Sequence, residues 1–218
     1  MTADRNASNL ADEPCDAPPM KIGRRDAWMF DLTARDDVVR GRALARHRAL
    51  VETGTGVSRY EPDEERTIFW YVATAWDLDF RNTAVSVERW PFMALYLRWE
   101  GLFPDEWRSR GSHPWSPWSM KEGVLEHLRR NGTVAEVRQE AADLLIDAIH
   151  RSYRCKDWMY ASLVHHVADT DFRDRLTILT GADDPLVRLR ARFLLDLADR
   201  PEVRVKRHTW GKWLDSRT

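Results

Sequence analysis

Cysteine is nearly absent from this chain. Its 218 residues hold two, Cys15 and Cys155, too few for a disulfide framework or a zinc site. A reduced, cytoplasmic protein is the expectation. Lysine is almost as scarce: only Lys21, Lys121, Lys156, Lys206 and Lys212 stand among 34 basic residues. Such an arginine bias suits phosphate or carboxylate recognition, or reflects no more than a GC-rich genome. Excess charge of either sign is missing too. A formal net charge of −1 excludes a globally basic nucleic-acid binder and leaves only a local patch open. No apolar run is long enough to span a bilayer, and no charged-then-apolar leader opens the sequence, so neither membrane insertion nor secretion by the signal route is expected. There is no Gly-x-Ser-x-Gly, no Walker loop and no dinucleotide fingerprint. Catalysis by those routes loses its support, and no cofactor is expected.

What the sequence does have is a period. Val87, Val137 and Val187 stand fifty residues apart, and Leu95, Leu145 and Leu195 each follow eight residues behind. Asp36-Asp37-Val38-Val39-Arg40 forms a weaker earlier copy. A fixed period of this length marks stacked helical units that bury their apolar faces against their neighbours. Residues 1–22 are polar and aperiodic, reading as a disordered tail, and 23–218 read as one all-helical domain.

Helices are expected around Arg25–Thr33 and over Asp37–Glu52, closed by Gly54-Thr55-Gly56. The aromatic run Ile68–Trp76 reads as a buried helix. Pro91 should kink or split the helix over Thr83–Glu100. Ser119-Met120-Lys121-Glu122 and Thr133-Val134-Ala135-Glu136 read as capping boxes, the first opening a helix that stops at Asn131-Gly132 and the second a helix to about Arg151. Asp157 and Asp171 start two more, and Asp184-Pro185 opens one running to about Ala198. A basic cap over 201–218 follows.

Two segments, 134–145 and 184–198, resemble the second helix of a HEAT repeat. The likeness rests on Val137-Arg138 with Ala141, and on Val187-Arg188 with Ala191. It covers about residues 119–200, and it implies an all-α, short right-handed stack of HEAT- or armadillo-like hairpins behind a Trp-rich N-terminal half. Such stacks act by presenting a surface. A non-enzymatic binding or scaffold protein for a protein or peptide partner is therefore expected, with Trp107, Trp115, Trp118, Arg138 and Arg188 as contacts.

Other readings compete. Seven of eleven tryptophans fall between Trp70 and Trp118; they either line a stacking cleft or fill a core. A nucleic-acid binder would use Trp76, Asp79, Arg204, Lys206, Arg207, Trp210, Lys212 and Trp213, because basic and aromatic residues interleave there. The same features resemble the helical-repeat DNA glycosylases, and no catalytic residue carries over. The tail tryptophans equally suit a cap over the last repeat. Asp143, Asp147 and His150 share one helical face, and with His165 they form a candidate metal site of a helical metalloenzyme; a solvated polar stripe explains the same spacing. Cys155, between Arg154 and Lys156, reads as either a reactive thiol or a buried, inert one, the latter being the expectation.

Overall fold

The computed structural model describes residues 25–57, 65–73, 83–132 and 137–216, the side chains of 83–87 excepted. The tail 1–22, Trp76, Asp79 and the capping box at 133–136 lie outside these. Among the described residues the chain is all-helical, without a strand. After a 3-10 turn over Ala27–Thr33 come α1 (Asp37–Thr53), α2 (Ile68–Val72), α3 (Thr83–Leu102), α4 (Pro104–Trp107), α5 (Pro117–Asn131) and α6 (Arg138–His150). A second 3-10 segment, Asp157–Leu163, leads into α7 (Val164–Val167), α8 (Thr170–Leu179), α9 (Pro185–Asp199) and α10 (Thr209–Asp215).

Local chemistry sets most of the ends. The Asp36 carboxylate accepts the amides of Val38 and Val39 and opens α1, which closes at Gly54 in the left-handed conformation, φ 76°. Asp184 caps α9 through the amides of Leu186 and Val187, with Pro185 at the first helical position. For α8 the cap is Asp169 rather than the expected Asp171. The expected capping box at Ser119 is not the start of α5: Pro117 opens that helix two residues earlier, since its fixed φ suits the first turn and its missing N–H costs nothing there.

Helix α3 is the centre. It packs against the first 3-10 turn, α2, α4, α5 and α6. From Trp90 to Glu100 every residue except Arg98 is buried, so the helix is apolar all round rather than on one face. Pro91 does not split it. The backbone bond that proline forfeits is offset by burial on every side. Around α3 sits an aromatic knot: the rings of Trp99 and His113 stack 8° from parallel, His47 lies edge-on to Trp99, and Tyr96 meets Trp107 at 5.6 Å. Trp99 is therefore core.

One turn has no room for a side chain. At Gly56, φ is 61°, and a Cβ would come within 2.2 Å of the Glu65 carbonyl oxygen, where the chain returns so that Thr67 can donate to the Gly56 carbonyl. Gly56→Ala should cost about 2 kcal/mol or more, through both the disfavoured φ and the backbone clash. Urea unfolding measures it; a loss within the ~0.5 kcal/mol of an ordinary surface change would contradict this account.

Candidate functional site

The C-terminal half encloses a cavity of about 470 Å³. Leu145 and Ile149 of α6 form one wall, and Phe193 and Leu194 of α9 face them. Trp158, Tyr160 and Ala161 come from the second 3-10 segment, and Val205 to Arg207 with Trp210 close the remaining side. Two anchors hold these walls. The Arg190 guanidinium on α9 donates to the carbonyls of Ile149 and Arg151, at 2.7 and 2.5 Å, satisfying the open C-terminus of α6. Phe193 meets Trp210 and Trp213 edge-on at 5.0 and 5.4 Å, tying α10 to α9. At the rim, Tyr153 and Leu186 are 62% and 45% exposed, so apolar surface continues from the interior to solvent.

Asp157 connects this cavity to a buried ion cluster. Lys121 and Glu100 are both wholly buried, and Asp157 nearly so. Lys121 Nζ lies 2.5 Å from Asp157 Oδ1 and 3.3 Å from Glu100 Oε2. Arg151 spans the same two carboxylates, donating to Glu100 at 2.7 Å and to Asp157 at 2.9 Å. Arg154 adds bonds to the Glu100 carboxylate and carbonyl, and its own amide donates to Asp157 Oδ2. Three cations thus surround two carboxylates, binding the end of α3 to α5 and to the chain after α6.

Burial pulls the Lys121 pKa down, with Asp157 and Glu100 opposing the shift. At Arg151 burial also works against the charge, but Tyr160, Asp157 and Glu100 outweigh it and the pKa rises. The Tyr160 hydroxyl is pushed up, chiefly by burial. To aim its carboxylate at Lys121, Asp157 follows a residue in the left-handed region: Lys156, φ 67°, the one such non-glycine among the described residues. A smaller cavity of about 220 Å³ lies on the other side of Tyr160, between α3 and α6.

The residues expected from sequence are scattered around this centre. Trp107 is no partner contact: it is fully buried, because the short α4 turns its indole back onto Tyr96 and Trp118. Trp118 is half-buried in the same knot, while Trp115 is 50% exposed. Arg138 is exposed at the start of α6, whereas Arg188 is spent on the turn before α9, donating to the carbonyls of Ala182 and Asp183. Of the basic tail, Arg204, Lys206, Arg207 and Lys212 are exposed. Trp213 is buried and Trp210 stacks on it, so Trp213 offers no face to a base.

The four candidate metal ligands do not gather. Asp143 pairs with Arg175 at 2.8 Å, and His165 lies 3.2 Å from the Val203 carbonyl, while Asp147 and His150 are exposed beside the smaller cavity. Among the described residues no three His, Cys, Asp or Glu side chains meet in metal-binding geometry. Cys155, expected buried, is exposed, since it sits on the turn that Lys156 bends. Sequence reasoning missed Lys121, Glu100, Arg151, Asp157 and the cavity itself. One signal was present: Lys121 falls on the apolar face of α5 marked by Val124, Leu125 and Leu128.

No family model, curated protein or solved structure matches the chain. The function is therefore argued from these residues. Among the described residues no helix is long and apolar enough to cross a membrane.

Proposed function

We propose that this chain is a non-enzymatic binding protein whose ligand lodges its apolar part in the 470 Å³ cavity. The cavity carries the reading. Its volume is that of a small-molecule site, its wall is mostly aliphatic and aromatic, and its few polar groups converge from separate segments. Against catalysis there, the one carboxylate in the lining, Asp157, has both oxygens engaged in structural bonds with Lys121, Arg151 and the Arg154 amide.

For the architecture we infer a short stack of helical hairpins, with α8–α9 as the most regular unit and α6 as the inner helix before it. The fifty-residue spacing supports this, as Val137 and Val187 are both buried and α6 packs on α9. In such a stack the cavity is the seam between two units, closed by the basic segment that caps the last. A protein or peptide partner would have exposed Arg138 and Trp115 to grip, but neither lines the cavity. A ligand small enough to enter fits better.

Titration calorimetry with decanol and decanoate, each below its aggregation limit, tests the reading. At least one should saturate at about one per chain. Ala148→Phe, which places a ring in the cavity, should abolish binding while leaving the circular dichroism unchanged. Failure of both probes to saturate would overturn the proposal.

A further inference from the structure

The charges around the cavity identify the ligand more closely, on the assumption that the cavity is the binding site. Its lining carries three cations, Arg190, Lys206 and Arg207, against the single carboxylate of Asp157. Lys121 and Arg151 already offset that carboxylate. Arg190 points its donors at the α6 carbonyls, so its charge stays inside the wall, within electrostatic reach of Asp157 and Asp184 but without an ion pair to either. Lys206 and Arg207 differ: both are exposed, and among the described residues neither forms an ion pair. They stand where the chain leaves Val205 for α10, fixed by the Lys206 amide donating to the Thr209 hydroxyl. The site is therefore apolar inside and cationic at the mouth, with three cations against one carboxylate in its lining.

We infer that the ligand is a free amphipathic carboxylate, a medium-chain fatty acid or a molecule of that form. Its hydrocarbon would lie between Ile149 and Phe193, with the carboxylate at Lys206 and Arg207. A carboxylate matches the pair, because the arginine fork takes both oxygens while the lysine supplies a point charge. A neutral lipid would leave both cations without a role. A cationic amphiphile would be repelled by all three.

Calorimetry with octanoate, nonanoate and decanoate should show affinity rising about fourfold per methylene. Decanol should bind about tenfold more weakly than decanoate. The double substitution Lys206→Gln, Arg207→Gln lies on exposed positions and should leave the fold intact. It should bring decanoate down to the affinity of decanol and leave decanol unchanged. The inference is overturned if decanol binds as tightly as decanoate in the unaltered protein, or if the double variant keeps the decanoate affinity. Either result spares the cavity as a binding site, whereas loss of binding by both probes removes it. Co-sedimentation with phosphatidylglycerol vesicles supplies the last arm. Binding to vesicles that decanoate does not displace would make the basic rim a membrane contact, and would also overturn the inference.

Discussion

Lowering the pH from 7 to 5 is expected to remove about 6 kcal/mol of folding stability, roughly 2 from each of three histidines. His47, His113 and His127 are buried or nearly so as neutral rings. Burial, the largest influence on each, takes their pKa values from 6.5 down to about 4, 3 and 4. Arg48 and Arg89 add repulsion at His47 and His127, and His47 adds it at His113. The folded-state pKa values lie below the unfolded ones. Between them the unfolded chain binds more protons, so stability is full above about pH 6.5 and drains as pH falls toward 4.

Two carboxyl groups do not mask the trend. Glu126, held low first by its bond to Arg129, loses its contribution only below the window. Glu140, raised by burial, works the other way, but a single acid does not balance three bases. A domain of ordinary stability holds about 5–15 kcal/mol in all. The urea midpoint, followed by circular dichroism from pH 7.5 to 5, should therefore fall steeply toward zero. A flat profile, or ring protons that titrate near pH 6.5 in the native protein, would refute the burial argument.

The same histidines show what was legible in the sequence. Helix ends fixed by neighbours in the chain were readable, because a cap is a local bond: Asp36 and Asp184 open α1 and α9, and Gly54 closes α1. Where two local signals competed, as Pro117 and Ser119 did for α5, the sequence reading took the capping box at Ser119 and the helix starts at Pro117. The loop around Trp107 and His113 is rich in Ser, Pro and Arg, yet it folds back over the aromatic face of α3. Nothing in the loop's own composition states that. The cavity was the least visible feature, since α6, the 157–163 segment, α9 and the basic tail each supply only part of its wall.

Lys121→Met is expected to cost about 2–3 kcal/mol, although methionine is apolar, fits the same volume and sits on a buried face. The reason is what remains. Glu100 has no exposed surface and Asp157 almost none, so removing the ammonium leaves two carboxylates sharing Arg151 and Arg154. The remaining charges balance two to two, but Asp157 Oδ1 keeps only Arg151 as a donor, and the charge-assisted bond lost in so buried a site outweighs what the methyl of methionine returns. Replacing all the charges would be another matter, because a fully apolar replacement of a buried ion cluster is often neutral.

That contrast makes the test. Lys121→Met combined with Asp157→Asn removes one charge of each sign, and should be less destabilising than the sum of the single substitutions by about 1–3 kcal/mol. Exact additivity would show that the 2.5 Å pair carries no coupling. The cost should also reach the cavity. Asp157 fixes the turn from which Trp158, Tyr160 and Ala161 enter the wall, and a wall that fluctuates binds less tightly than one already in place. Decanoate affinity in Lys121→Met should accordingly fall even where the protein remains folded, although Lys121 does not line the cavity. If affinity holds while stability drops, the ion cluster supports the fold alone and the cavity wall stands without it.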